Sequence, residues 1–306
     1  RTYVEVHAPG SIFKPLVALA ALENRVIAPE TTIYAGGSLQ VRNQYDPSVV
    51  YTFGDWAVHG NVNMNRALAR SSDVYFYEVA GGVWEGGRET FRGLGADRLA
   101  QWARFAGLGR PTGLDLPGEA SGLVPDSAWK QRALGEDWLL GDTYTFGIGQ
   151  GYLTASVIQM ATMTAALANG GDLLVPHVVR GVQQYGALTL VPTRVTARLP
   201  ASPEHLAIVR RGMVSAASDA DGTATTGVPA GVSIGGKTGT AEFGQPYPDG
   251  VFDTHGWFIA FAPAEQPQIA VAVYLEYAVG QTHAGPVAKE ILEAYFRGGD
   301  AHRVAR

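Results

Sequence analysis

The 306-residue chain contains no cysteine. Disulfides, a thiol nucleophile and thiolate zinc sites are therefore excluded, while the redox compartment stays open. No apolar run reaches the roughly 18 residues of a membrane-spanning helix, and no secretory signal pattern opens the chain. A basic excess is missing too: 23 Lys and Arg against 28 Asp and Glu give a net charge of −5, which speaks against a nucleic-acid partner. Internal repeats and low-complexity tracts are absent. What remains is 46% hydrophobic and 17% charged, the balance of a compact folded protein with a substantial core.

The pattern along the chain changes near residue 230. Before it, Leu16 to Leu22, Asn63 to Ala80, Leu94 to Phe105, Thr154 to Ala168 and Pro203 to Val214 read as helices. Residues 30–60 read as loop or irregular strands, with turn signals at Gly36-Gly37 and Asp46-Pro47, and Pro111 to Trp129 as a long ordered loop. After it, Val232 to Phe243, Gly256 to Ala262 and Ile269 to Tyr277 read as an antiparallel meander. Gly285-Pro286 starts a closing helix to about Phe296, with Val287, Ile291, Leu292 and Tyr295 expected to pack on the sheet. Helices followed by strands predict an α+β fold in one domain, 1–306: a mostly helical part over about 15–215, then sheet and closing helix over 230–300.

Three short motifs carry chemistry. Ser11-Ile12-Phe13-Lys14 places a hydroxyl three residues before an amine. A Ser beside a buried, deprotonated Lys is an activated nucleophile. Pro15 works against helical geometry at Lys14. Ser71-Ser72-Asp73 offers a hydroxyl able to relay a proton and a carboxylate able to hold Lys14. Lys237-Thr238-Gly239-Thr240, on a strand 226 positions after Ser11 (237 − 11), adds a second amine and two hydroxyls. Each alone has an ordinary structural explanation: a helix cap with a solvated Lys, a second cap, and an edge strand with a protective Lys. Their joint occurrence in this order carries the weight.

With these motifs in place, the chain resembles the class B penicillin-binding transpeptidases over nearly its whole length. The resemblance runs through Ala8 to Pro15, Phe146-Gly147-Ile148-Gly149-Gln150-Gly151-Tyr152 and Gly236 to Ala241. Asp73 stands where most members carry Asn. With Val74 to Tyr77, Thr112 to Pro117 and Trp138 to Gln150, it resembles the elongation-type subgroup, penicillin-binding protein 2. The resemblance implies a β-lactamase/transpeptidase-like fold, an antiparallel sheet flanked by helices plus an all-helical subdomain. It also implies peptidoglycan D,D-transpeptidation through a Ser11 acyl-enzyme. Lys14 would act as base, Ser71, Asp73 and Lys237 as relay and support, Thr238, Gly239 and Thr240 as substrate contacts, and Ser11 and Thr240 amides as the oxyanion site.

The implied partners are D-Ala-D-Ala stem peptides, β-lactam antibiotics, a membrane glycosyltransferase of the SEDS type and elongation scaffold proteins. The implied location is the periplasmic face of the bacterial inner membrane, with an anchor outside this chain. The family sheet has about five strands; only three are visible here, so the others are expected from sequence outside it. No cofactor or metal is required. Asp55 and His59, with Asp46 near, allow a metal site to be imagined, but a structural role is favoured. His255 reads as a hydrogen-bonded strand-end residue, and Trp129, Trp138 and Tyr152 as core or cleft wall. Three other readings stay open: a serine β-lactamase, for which Glu136 is the nearest acidic candidate, a D,D-carboxypeptidase, and a penicillin-sensing receptor domain.

Overall fold

The computed structural model describes residues 1–303 except Gln44, Tyr45, Pro47, Gly86 and Gly87. A 3₁₀ turn, Gly10–Phe13, runs directly into helix α1, Lys14–Glu23. Lys14 is helical, at φ −54° and ψ −36°, despite the proline that follows. Position resolves the conflict: Pro15 lies in the first helical turn, where an amide has no intrahelical partner to lose. The Lys14 amide closes the 3₁₀ turn on the Ser11 carbonyl. In that geometry residues three apart eclipse, so Ser11 and Lys14 share a face. Every residue of α1 from Lys14 to Leu22 is buried, making it the central helix of the larger core.

Of the two alternatives for residues 30–60, strands form: two antiparallel ribbons, β1 (Ile33–Ala35) with β4 (Gly60–Val62), and β2 (Ser38–Arg42) with β3 (Val50–Gly54). Of the expected Asp46-Pro47 turn, Pro47 lies outside the described residues. The helix expected over Asn63 to Ala80 is two helices, α2 (Met64–Arg70) and α3 (Asp73–Gly81). The break has a local cause. Ser71 adopts the left-handed conformation, φ 57° and ψ 37°, and Ser72 becomes the N-cap of α3, accepting from the Tyr75 amide.

The chain continues through β5 (Val83–Glu85), β6 (Arg88–Phe91), α4 (Ala96–Phe105), α5 (Ser127–Leu134), α6 (Leu140–Gly147) and α7 (Val157–Ala168). Then come β7 (Asp172–Leu174), β8 (Gly181–Gln184), β9 (Ala187–Leu190), β10 (Val195–Arg198) and α8 (Pro203–Ser218). The short strands pair as β5–β6, β7–β10 and β8–β9. Helices α5 and α6 escaped the sequence reading because both are short, eight residues each.

The main sheet is β11 (Gly235–Phe243), β12 (Asp253–Ala262) and β13 (Ile269–Leu275), antiparallel in that order among the described residues. Val232 to Ile234, expected in its first strand, precede it. Alternation along the central strand serves two cores. Trp257, Ile259 and Phe261 join the cluster around α1, while Phe258, Ala260 and Ala262 face α8 and the closing helix α9 (Gly285–Arg303). No described helix is long and apolar enough to cross a membrane.

Of the residues expected on the packing face of α9, Leu292 is buried against the sheet and Val287, Ile291 and Tyr295 are not. Ala284, just before the helix, and Ala288 and Leu292 within it are fully buried, spaced four apart. Val287, Ile291 and Tyr295 stand on the flank, 37%, 41% and 44% exposed. The buried stripe runs through Ala284, Ala288 and Leu292, so two alanines take places that the sequence reading gave to larger side chains. Leu292→Ala is therefore expected to cost about 3 kcal/mol of stability and Ile291→Ala less than about 1 kcal/mol, measured by denaturant unfolding. Equal losses would show that the register of α9 is different.

Candidate active site

Ser11 precedes the central helix, and its segment is fixed on three sides. The Gly10 amide donates to the Gly149 carbonyl at 2.8 Å, His7 pairs with Ala155 through both backbone groups, and Trp257 Nε1 donates to the Ala8 carbonyl at 2.9 Å. Two glycines permit this approach. Gly149 has φ +78°, and a Cβ there would overlap the Gly10 carbonyl. A Cβ on Gly239 of β11 would lie 2.9 Å from the Pro9 carbonyl and 3.0 Å from Ile12.

Lys14 is fully buried. Its Nζ lies 2.7 Å from the Ser71 carbonyl, 3.3 Å from Ser71 Oγ and 2.6 Å from Asp73 Oδ1, and 5.5 Å from the Phe76 ring centroid. Together these contacts surround the Lys14 nitrogen with polar partners. The left-handed turn at Ser71 makes them possible, because it delivers carbonyl, hydroxyl and the Asp73 carboxylate to one point. Left-handed geometry at a residue with a Cβ costs about 1 kcal/mol and marks a site held by its surroundings.

Lys237 is also fully buried, and its Nζ donates to its neighbour Thr238's carbonyl at 2.9 Å. Burial, and secondarily the charge of Lys14, hold its proton affinity well below that of an ordinary lysine; Asp73 opposes them. Strand alternation sends Lys237 and Gly239 to one side of β11 and Thr238 and Thr240 to the other. Thr238 is 6% exposed, and Thr240 Oγ1 accepts from the Gly280 amide at 3.3 Å.

Other residues weighed in the sequence take structural places. His255 stacks on Phe243 at 3.8 Å and lies 3.2 Å from the Tyr274 hydroxyl, which also meets His7 Nδ1 at 3.0 Å. Burial lowers the proton affinity of both histidines. This His7–Tyr274–His255 set, which ties the nucleophile segment to the sheet, had no signal in the sequence. Trp138 Nε1 donates to Thr143 Oγ1 at 2.8 Å, and Trp129 packs 5.1 Å from Tyr152. Glu136 is exposed and lies 3.5 Å from Lys130. Asp46 accepts from Ser48, apart from Asp55 and His59, which lie 3.2 Å from each other.

A serine one 3₁₀ turn before a buried lysine, a hydroxyl and carboxylate on that lysine, and a second buried lysine on the facing strand are the groups that acyl transfer through a serine with a lysine base would require. Residues 1–294 match the penicillin binding protein transpeptidase domain, and the chain belongs to that family. Peptidoglycan D,D-transpeptidase MrdA of Haemophilus influenzae is 33% identical, covering 94% of this chain and 44% of the relative. Penicillin-binding protein 2 of Pseudomonas aeruginosa superposes with TM-score 0.81 at 34% identity, over 96% of this chain and 62% of that one. Penicillin-binding protein 2 of Helicobacter pylori, solved with MreC, gives TM-score 0.80 at 29% identity, over 98% and 51%. The chain thus spans under half the length of the MrdA relatives it matches.

The buried Lys237 has a consequence for stability. Its folded proton affinity lies below the unfolded value near 10.5, so the unfolded chain binds more protons between the two values. Stability therefore rises with pH through that window. Lys237→Met is expected to stabilise the fold near pH 7 by about 1–4 kcal/mol, with the gain shrinking as pH approaches 10. Unfolding of both proteins across that range checks this; a gain that grows with pH would contradict it.

Proposed function

We propose that this chain is the catalytic domain of a peptidoglycan D,D-transpeptidase of the elongation type. The observation that carries the reading is the Lys14 constellation: a fully buried lysine one 3₁₀ turn after Ser11, held by Ser71 and Asp73, with a second fully buried lysine, Lys237, on β11, in a chain whose relatives are named for this activity.

In this reading Ser11 Oγ attacks the carbonyl carbon of the penultimate D-Ala of a stem peptide. Its proton passes to Lys14, which enters the step as the amine. The developing oxyanion lies between the Ser11 and Thr240 amides. Ser71 and Lys237 deliver a proton to the nitrogen of the departing D-Ala as the peptide bond breaks. Thr238 and Thr240, on either side of Gly239, are proposed to hold the terminal carboxylate at the edge of β11, with Lys237 reaching it from the opposite face of the strand. The incoming carboxylate supplies the counter-charge that a buried Lys237 needs to hold its proton. An amine from a neighbouring stem then attacks the ester carbonyl, and Ser11 leaves with its proton restored through Lys14. A β-lactam enters as a D-Ala-D-Ala mimic and stays as a slow acyl-enzyme.

The wider setting follows from the relatives. A scaffold protein of the MreC kind, as in the Helicobacter pylori complex, and a membrane glycosyltransferase are the proposed partners. The proposed location is the outer face of the bacterial inner membrane, with an anchor outside this chain. Strands from outside it are proposed to extend the three-stranded sheet. Glu136, exposed and paired with Lys130, gives no support to a hydrolytic β-lactamase.

Intact-mass analysis after exposure to a penicillin is expected to show one adduct per chain, on Ser11, with none on Ser11→Ala. With a chromogenic cephalosporin, a stoichiometric burst is expected. An adduct on Ser11→Ala would show a different nucleophile, and rapid multiple turnover would identify a β-lactamase instead.

A further inference from the structure

The left-handed bend at Ser71 is gripped on both sides by one short segment, Gly54 to His59, that the reaction itself does not use. On the α2 side, Trp56 Nε1 donates to the Arg70 carbonyl at 3.0 Å, and the Arg70 guanidinium lies 5.0 Å from the Trp56 ring centroid. On the α3 side, the Asp55 carboxylate accepts from Ser72 Oγ at 2.8 Å and from the Val74 amide at 3.0 Å, both through Oδ2. Further along α3, the Tyr77 hydroxyl donates to the Gly54 carbonyl at 3.1 Å.

The gripping segment is itself fixed. The Asp55 amide donates to the Gly37 carbonyl at 2.8 Å, and the His59 amide to the Ala35 carbonyl at 2.9 Å. The second Asp55 oxygen, Oδ1, accepts from the Trp56 amide at 2.8 Å and lies 3.2 Å from His59 Nε2. Both side chains of this pair are at least 99% buried. An ionised carboxylate only accepts, so Nε2 carries the ring proton. His59 Nδ1 is then an acceptor, buried and without a partner. Burial works against the charged form of Asp55; hydrogen bonds from the Val74 amide and the Ser72 hydroxyl, and after them the charge of Lys14, outweigh it and hold the group as the carboxylate.

We propose that Asp55 is a positioning residue for acyl transfer, and that Gly54 to His59 form a clamp setting the bend that presents Ser71 and Asp73 to Lys14. The proposal rests on the acyl-transfer reading above. The Asp55 carboxylate makes its hydrogen bonds to Trp56, His59, Ser72 and Val74, and none to Ser11, Lys14 or Lys237. It acts through Ser72 and Val74, the residues on either side of Asp73. An Asn at position 55 keeps the acceptor for one side of the clamp but turns an N–H donor toward the other, against His59 Nε2–H or the Trp56 amide. The ring cannot shift its proton to Nδ1 without burying a second unpaired donor.

Stopped-flow acylation of the whole chain by a fluorescent penicillin tests this. Asp55→Asn is expected to slow the first-order acylation step by tenfold or more. Non-covalent affinity should change less than threefold, and the final labelling should stay at one per chain. In an Asp73→Ala background the same change is expected to cost less than threefold, because the group it positions is gone. Acylation of Asp55→Asn within twofold of the unsubstituted rate overturns the inference, as does a full tenfold loss in the Asp73→Ala background. Trp56→Phe, at a half-exposed position, covers the case in which Asp55→Asn does not fold: a two- to fivefold slower acylation supports the clamp, and an unchanged rate overturns it. Failure of the unsubstituted chain to label at all overturns the acyl-transfer reading and this inference with it, whereas the other outcomes bear on the clamp alone.

Discussion

A lysine side chain placed wholly inside the protein must be met by polar groups, and the Lys14 Nζ is met by a carbonyl, a hydroxyl and a carboxylate within 3.3 Å. That requirement organises much of what surrounds it. The carbonyl and hydroxyl come from one residue and the carboxylate from two positions later, so the backbone has to turn sharply between them. A continuous helix over residues 64–81 would carry these groups around its circumference. The interrupted pair α2 and α3 brings them to one point.

The site is locally unfavourable in several ways at once. Ser71 is left-handed, Lys237 is buried with its own neighbour's carbonyl as hydrogen-bond partner, and His59 has an unpaired buried nitrogen. The compensation lies nearby. Helix α1, buried from Lys14 to Leu22, and the two apolar faces of β12 form continuous cores on both sides of the sheet. Strain confined to a few residues on such a frame is how a protein keeps reactive groups in a geometry they would not choose alone.

The chemistry-bearing motifs were legible because they are contiguous: Ser11 to Lys14, Ser71 to Asp73 and Lys237 to Thr240 each lie within four residues. Strands of the main sheet were legible for the same reason, through strong alternation. What stayed hidden depends on distance in sequence. Pro15 looked like an obstacle until its place in the first turn was known. The break at Ser71 was invisible because the apolar spacing of Met64, Leu68, Tyr75 and Val79 runs through it. On α9 only Leu292 was placed rightly; Ala284 and Ala288, which share its stripe, were passed over because small side chains carry little apolar signal. Asp55 gave no sign beyond a His four residues away, since its partners at Ser72 and Val74 are 17 and 19 positions on.

The hydrogen bond from Trp257 to the Ala8 carbonyl joins residues 249 apart. It sets an order on the life of the molecule. A ribosome finishes the nucleophile and its base long before it makes the strand that seats them, and contacts so distant in sequence form late and slowly. Until β12 is in place, Ser11 and Lys14 are neighbours along a chain without a wall to rest against. On the proposed reading, reactivity toward acyl donors belongs to the finished fold alone, and a chain arrested or trimmed before residue 257 carries the Ser11-to-Lys14 motif without the strand that seats it.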